Sequence, residues 1–153
     1  MLNKEKLKPM VLVFIGPNGS GKSTLRNWFE PVGEYTNADD MVATMHITNE
    51  EATKNADDLR YKAIESHQDF SFETVGSSIY KMDILRKAKE EGYFIKAVFV
   101  LTANPILNVA RVRARVENGG HDVPEEKIIS RYYKSLGNIK ELLELCDILH
   151  VYD

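Results

Sequence analysis

The chain has 153 residues, of which 43% are hydrophobic and 28% are charged, and its formal net charge is −3. This composition is typical of one globular domain, so we expect residues 1–153 to form a single folded unit. The net charge argues against nucleic acid or an anionic membrane as partner. We expect a cytoplasmic location, because the start of the chain is too polar for a signal peptide and no apolar run could span a membrane. Cys146 is the only cysteine, which excludes an internal disulfide, and we expect it to pack against the core.

Apolar runs alternate with stretches of helical spacing along the whole chain. Strands are predicted at 10–15, 34–36, 69–73, 93–101 and 147–152, and helices at 22–30, 39–44, 50–68, 77–91, 105–117 and 124–145, the last with a break near 137. The first strand is a continuous apolar run, typical of a strand buried on both faces of a sheet, and 93–101 is the second strong strand candidate. The alternation predicts an α/β fold, a parallel sheet of about five strands flanked by helices.

A glycine-rich loop joins the first strand to the first helix. Its sequence, Gly16-Pro17-Asn18-Gly19-Ser20-Gly21-Lys22-Ser23, matches the P-loop pattern, in the required order of strand, loop and helix. We expect its backbone N–H groups and the helix N-terminus to bind the phosphates of ATP. Lys22 should reach the β- and γ-phosphates, Ser23 should ligate Mg²⁺, and the hydroxyl of Thr24 should lie near the α-phosphate.

Several classes of P-loop protein carry further motifs that this chain lacks. The sequence has neither the Asp-Glu strand end and Leu-Ser-Gly-Gly-Gln type signature of ABC transporter ATPases nor the Asn-Lys-x-Asp stretch of GTPases. Small phosphotransferases remain. They need a base for the acceptor hydroxyl, a lid that excludes water and cations for the migrating phosphoryl group.

The cations are visible in the second half of the chain. Arg111 and Arg115 are four residues apart and project from one helix face. A glycine turn at 119–120 leads to a second helix that carries Arg131. We expect residues 111–137 to form a helical lid whose three arginines contact phosphate. Arg113 lies on the other side of its helix and is expected to be a surface or ion-paired residue.

Four stretches of the sequence resemble the zeta-toxin-like P-loop kinases, including a branch identified as UDP-N-acetylglucosamine kinase-like. These stretches are the loop itself, 37–40 (Asn-Ala-Asp-Asp), 72–74 (Phe-Glu-Thr) and 111–136. The resemblance implies a nucleoside-kinase-like sheet with the first strand central. It also implies transfer of the ATP γ-phosphoryl group to a hydroxyl of a sugar or nucleotide sugar, with UDP-N-acetylglucosamine the favoured acceptor. A protein antitoxin would then be a candidate partner.

The resemblance also assigns residues to the acceptor end of the site. It implies that Asp39 is the catalytic base, and a carboxylate just past the end of a strand does face the ligand crevice of an open α/β sheet. A helix cap at Asp39, or Asp40 as the base, are the alternatives. It further implies that Glu73 and Thr74 contact the acceptor. The end of the third strand equally suits Glu73 as a ligand of Mg²⁺ or of its water, and the sequence does not rank the two roles.

Other interpretations of the sequence remain open. His121 replaces a lid arginine of the larger toxins and either contacts phosphate or stabilises the glycine turn. Tyr132 and Tyr133 are expected to belong to a helix core, but they are the only candidates for a nucleic-acid stacking platform. The rival functions are a nucleoside, nucleotide or nucleic-acid-end kinase and, in another class, a nucleotide-dependent switch without kinase activity.

Overall fold

The computed structural model describes residues 7–153 as a five-stranded parallel sheet flanked by helices. In chain order the strands are β1 Met10–Ile15, β2 Glu34–Thr36, β3 Phe70–Thr74, β4 Phe94–Val100 and β5 Ile148–Tyr152. The helices are α1 Lys22–Arg26, α2 Ala38–Met45, α3 Asn49–Glu65, α4 Ile79–Glu90, α5 Pro105–Glu117, α6 Glu125–Gly137 and α7 Ile139–Leu145. The predicted fold class is confirmed. Among the described residues, no helix is long and apolar enough to cross a membrane.

The strand order β2-β3-β1-β4-β5 makes β1 the central strand. Its residues Val11 to Ile15 are all buried, as expected for an apolar strand covered on both faces. In register, Phe14 lies beside Glu73 of β3 and Val98 of β4. All strands run in parallel, so the loops after β1, β2 and β3 meet at one edge of the sheet, where ligands bind in open α/β folds.

The two faces of the sheet are covered by different helices. The main core includes Val13, Phe72 and Leu85 and lies on the face packed by α3, α4 and α7. A smaller cluster on the other face contains Leu12 and Phe14, with Leu25 and Phe29 packed against them. Helices α5 and α6 pack against each other around a third cluster of Val109, Val112, Val123 and Ile128.

Most element boundaries lie within three residues of the sequence prediction, and two places where helices end are described here because they affect packing. Helix α1 ends at Arg26 rather than at residue 30, and the chain continues in tighter turns, with Trp28 N–H donating to Leu25 C=O. These turns direct Phe29 onto Phe14, His150 and Tyr152 and leave Trp28 exposed. The C-terminal helix is broken at Asn138, one residue after the predicted position. The side-chain Nδ2 of Asn138 donates to Gly76 C=O at 2.7 Å.

Candidate active site

The phosphate loop, Gly16–Ser23, lies at the carboxyl end of β1 and is packed against α5. Gly19 and Gly21 have φ of 77° and 103°, which only glycine adopts without strain. A Cβ on Gly19 would lie 2.6 Å from the carbonyl oxygen of Asn108. The side chain of Asn108 is fully buried. It donates from Nδ2 to Asn18 C=O at 2.8 Å and accepts from the hydroxyl of Thr102. Helix α5 therefore fixes the shape of the loop.

Lys22 points back into the phosphate loop and is buried. Its ammonium group donates to the carbonyl oxygens of Gly16 at 2.7 Å and Pro17 at 3.1 Å. Burial lowers the pKa of Lys22 to about 8, while the charges of Glu73 and Asp39 oppose this shift. The positive charges of Arg115 and Arg131 lower the Lys22 pKa further, so the structure gathers these four charged groups around Lys22.

The loop fits a phosphate group. The Oγ of Ser20 is buried and has no hydrogen-bond partner within residues 7–153. Lys22 is held only by two loop carbonyls, so its charge is not neutralised by a direct ion pair within the described chain. A buried hydroxyl and a buried cation facing a glycine loop are the donor set that an anionic oxygen requires.

Glu73 lies at the end of β3, beside the first turn of α1. The hydroxyl of Ser23 donates to its Oε1 at 3.0 Å and lies 3.3 Å from its Oε2. The hydroxyl of Tyr35 donates to Oε2 at 2.5 Å. Burial, and then the bond to Glu73, raise the pKa of Tyr35, so Tyr35 keeps its proton. Glu73 is thus fixed next to the serine of the phosphate loop.

Asp39 lies in the first turn of α2, and its side chain is exposed. The alternative of Asp39 as helix cap is wrong: the cap is Asn37, whose side-chain oxygen accepts from the Asp39 N–H at 3.0 Å. The Asp39 carboxylate is therefore free of a capping role and acts on the charge of Lys22. Partial burial, followed by the charge of Glu73, raises the pKa of neighbouring Asp40.

The predicted arginines meet the phosphate loop in different ways. Arg131 donates to the side-chain oxygen of Asn18 at 3.0 Å. Arg111 reaches the carbonyl oxygens of Gly19 and Ser20 at 3.4 and 3.3 Å, on the loop backbone. Arg115 is exposed beside the glycine turn and acts on Lys22 through its charge. Arg113 pairs with Glu125, away from the loop, as expected.

The side chains of the remaining predicted residues form no hydrogen bond to the phosphate loop within the described chain. Thr74 Oγ1 accepts from the N–H of Gly76 at 3.3 Å, within the turn after β3. Thr24 and His121 are exposed and have no side-chain bond among the described residues. Tyr132 is a core residue as predicted, and its hydroxyl donates to Thr102 C=O at 2.7 Å. Tyr133 is 61% exposed, which differs from the core role expected for it.

A model of the Zeta toxin family matches residues 25–152. The chain belongs to the Zeta toxin family. An uncharacterised protein of Haemophilus influenzae is 29% identical to this family member over 127 residues, which are 79% of this chain and 91% of the relative.

Solved structures share the fold of this Zeta toxin family member. The PezAT chromosomal toxin-antitoxin system of Streptococcus pneumoniae matches with a TM-score of 0.72 at 16% identity, over 97% of this chain and 70% of that one. A chain of the Pnkp1/Rnl/Hen1 RNA repair complex matches with a TM-score of 0.71 at 21% identity. This match covers 91% of the present chain but spans about half, 48%, of the other. Shikimate kinase of Bacteroides thetaiotaomicron matches with a TM-score of 0.51 at 16% identity, over 92% of this chain and 84% of that one. The fold is therefore that of P-loop kinases.

Two features of the site were missed by the sequence analysis. Tyr35 was assigned only to a weak strand, although its side chain contacts Glu73. Arg60 of α3 is 3% exposed and donates to Thr36 Oγ1 at 2.8 Å, to Thr36 C=O at 3.3 Å and to Glu73 C=O at 3.5 Å. It also pairs with buried Asp57 at 3.1 Å. The only signal was the i, i+3 spacing of opposite charges, which is common on exposed helix faces.

Proposed function

We propose that this Zeta toxin family member is an ATP- and Mg²⁺-dependent kinase that phosphorylates a hydroxyl of a sugar or nucleotide sugar. The observation that carries the proposal is the arrangement at the end of β1 and β3. There, Ser23 bonds to Glu73 while buried Lys22 faces the phosphate loop. Bound ATP would supply the γ-phosphoryl group, and bound Mg²⁺ would neutralise charge that develops on it.

The metal end of the site is formed by two side chains. Ser23 keeps its lone pairs available for Mg²⁺ while its proton bonds to Glu73. Glu73 accepts from Ser23 and Tyr35, which orients its carboxylate for the metal or for a water on the metal. Because Glu73 lies beside Ser23, the expected Mg²⁺ ligand of the loop, we assign it to Mg²⁺ rather than to the acceptor.

Lys22 is the cation for the transferred group. Its ammonium group bonds to the carbonyls of Gly16 and Pro17, and binding of ATP would exchange those bonds for bonds to phosphate oxygens. The exchange takes place in a buried setting, where a charge-assisted hydrogen bond is stronger than in water. Ser20 Oγ, which has no partner in the described chain, is a second donor for the same group.

Asp39 is proposed as the general base that takes the acceptor proton. It is exposed at the crevice, its backbone N–H is bonded to Asn37, and it lies within electrostatic range of Lys22. A carboxylate there can accept a proton from an acceptor hydroxyl as the hydroxyl attacks the phosphoryl group. Thr74, at the adjacent strand end, is proposed to contact the acceptor.

Residues 111–137 are proposed to act as a lid on a single kinase-like domain. The two lid helices contact the phosphate loop through Arg111 and Arg131, so a movement of the lid would change the contacts of the loop. Closure would bring Arg115 over the transferring group, and exclusion of water would strengthen each charge contact.

UDP-N-acetylglucosamine is the acceptor we favour. The support is membership of the Zeta toxin family together with the retained stretches at 37–40, 72–74 and 111–136. The PezAT match motivates a protein antitoxin as a partner. A cytoplasmic location would give the enzyme both ATP and nucleotide sugars.

The test is an ATP-consumption assay with a panel of acceptors: nucleotide sugars, free sugars, nucleosides and a 5′-hydroxyl oligonucleotide. We expect stimulation by UDP-N-acetylglucosamine and none by the oligonucleotide. Lys22→Ala serves as the control for contaminating kinases. Stimulation by nucleosides or the oligonucleotide alone would replace the proposed acceptor class. The absence of any acceptor-stimulated turnover despite ATP binding would favour a nucleotide-dependent switch.

A further inference from the structure

The carboxylate of Glu73 is held by two hydroxyl groups from different elements. Ser23 of α1 donates to it at 3.0 Å, and Tyr35 of β2 donates at 2.5 Å. The serine belongs to the P-loop pattern, but the tyrosine belongs to no motif in the sequence. Its role therefore has to be inferred from its geometry.

The sheet register directs the Tyr35 side chain to Glu73. Tyr35 lies beside Ser71 of β3, and Glu73 is two residues further along the same strand. Side chains alternate along a strand, so Tyr35 and Glu73 leave the same face of the sheet. This is the face on which α1 carries Ser23.

The tyrosine ring is itself held in place. The guanidinium carbon of Arg26 lies 3.9 Å from the centre of the Tyr35 ring. The Arg26 Nε is buried and has no hydrogen-bond partner within residues 7–153, so its contact with the ring is its main anchor there. Arg26 follows Ser23 by three residues on α1, which ties the tyrosine to the same helix turn as the serine.

We propose that Tyr35 is a positioning residue for Mg²⁺. Its hydroxyl holds Oε2 of Glu73, so that Oε1 stays beside Ser23, where the metal would bind. The inference rests on the proposed assignment of Glu73 to the metal. Without the hydroxyl, Ser23 is the one side-chain partner that Glu73 keeps among the described residues, and the carboxylate can rotate away. Loss of a residue that hydrogen-bonds to a metal ligand typically lowers metal affinity about 10- to 100-fold.

The experiment measures ATP affinity twice for each variant, once with saturating Mg²⁺ and once with EDTA. The ratio of the two dissociation constants reports the contribution of the metal and needs neither an acceptor nor turnover. We expect Tyr35→Phe to reduce this ratio about 10-fold while the affinity in EDTA changes by less than about twofold.

Tyr93→Phe is the matched control. Tyr93 is more buried than the half-buried Tyr35, and its hydroxyl lies 2.8 Å from two carbonyl oxygens, those of Ala63 and Gln68. It precedes β4 at the amino end of the sheet, opposite the phosphate loop. Tyr93→Phe therefore loses a buried hydroxyl with at least as many bonds, and we expect it to lower stability without changing the Mg²⁺ ratio.

Glu73→Ala separates this inference from the proposed function. If Glu73→Ala leaves the Mg²⁺ ratio unchanged, the metal assignment of Glu73 fails and the inference fails with it. If Glu73→Ala reduces the ratio and Tyr35→Phe does not, only the role of Tyr35 is overturned. An equal reduction in Tyr93→Phe also overturns it, because the effect would then be structural. Support requires that Tyr35→Phe have no further effect on the ratio in the Glu73→Ala background.

Discussion

Lys22 shows how burial prepares one side chain for an anionic ligand. Its charge is removed from water, which lowers its pKa to about 8, and within residues 7–153 its ammonium group bonds only to two loop carbonyls. The charges of Glu73 and Asp39 stabilise the protonated form of Lys22, although in the described chain its ammonium group bonds to carbonyls and not to these carboxylates. A phosphate oxygen can therefore bind Lys22 without first breaking a salt bridge.

The carboxylates of Glu73 and Asp39 differ in burial and in hydrogen bonding. Glu73 is buried and bonded to two hydroxyls, whereas Asp39 is exposed and accepts no hydrogen bond within the described chain. The buried group suits a fixed metal ligand, and the exposed group suits proton transfer to an incoming acceptor.

Asp39→Asn tests the proposed role of Asp39 in proton transfer. We expect phosphoryl transfer to slow by roughly 10²- to 10⁴-fold, the range for loss of a general base, with ATP affinity largely unchanged. Turnover and ATP binding would be measured side by side. Asp40→Asn is the matched control, since it removes the same charge from the next position of α2. If Asp39→Asn instead lost ATP binding while turnover per bound complex was unchanged, Asp39 would not be the base.

The thiol of Cys146, which lies outside the site, is expected to react slowly. Burial raises the pKa of this thiol to about 12, well above the value of an exposed cysteine. At pH 8 the reactive thiolate is therefore about 10³-fold scarcer than for an ordinary thiol. We expect alkylation by iodoacetamide to be slower by that factor in the folded protein than in urea, and to keep accelerating with pH beyond 9. A native rate within about tenfold of the unfolded rate at pH 8 would contradict the packing of Cys146.

At the scale of elements, the sequence predicted most of the helices and strands and the phosphate loop. The apolar runs of β1 and β4 and the order of strand, loop and helix were sufficient for this. The end of α1 was mispredicted because Trp28 and Phe29 fit helical spacing. In the fold, Phe29 packs on Phe14 and β5 instead, and the chain leaves the helix to reach them. That contact depends on a strand more than 100 residues away.

The turn between α5 and α6 is an element whose shape depends on glycine. A Cβ on Gly120 would lie 2.8 Å from the carbonyl oxygen of Arg115, so the turn would have to shift. We expect Gly120→Ala to lower the free energy of unfolding by about 1–3 kcal/mol and to reduce turnover by displacing Arg115. Urea unfolding and acceptor-dependent ATP consumption would measure the two effects.

Gly137, the last residue of α6, provides the matched substitution. A Cβ there would meet nothing within 4 Å, and its φ is not positive. We expect Gly137→Ala to raise stability by about 0.4–1 kcal/mol, because alanine restricts the unfolded chain, and to leave turnover unchanged. Equal effects from the two substitutions would mean that the geometry of the turn does not matter for Arg115.

At the scale of the whole molecule, a buried ion pair joins the carboxyl ends of β2 and β3 to the helices. Arg60 bonds to the ends of β2 and β3 and packs over the ring of Phe72, and Asp57 also accepts from Tyr80 and Lys81 of α4. The sequence could not reveal this network, because the helix that carries Asp57 and Arg60 is mostly polar and has only a weak apolar side. Only the tertiary fold shows that these two charges face inward.

Removing one member of the pair should cost more than removing both. We expect Arg60→Met to lower the free energy of unfolding by about 3–5 kcal/mol, since it leaves Asp57 buried without its main cation. The double variant Arg60→Met/Asp57→Leu should recover part of this loss. Urea denaturation of the two variants provides the comparison. If the double variant were less stable than Arg60→Met, the loss would come from packing and not from an unpaired charge.

The central claim, transfer of the γ-phosphoryl group to an acceptor hydroxyl, is tested most directly by following that group. ATP carrying ¹⁸O in the γ-phosphoryl oxygens would be incubated with the protein, Mg²⁺ and UDP-N-acetylglucosamine, and the products analysed by mass spectrometry. We predict label in a phosphorylated nucleotide sugar with the intact protein and none with Lys22→Ala. Label found only in inorganic phosphate, or retained in ATP while ATP is shown to be bound, would contradict this account.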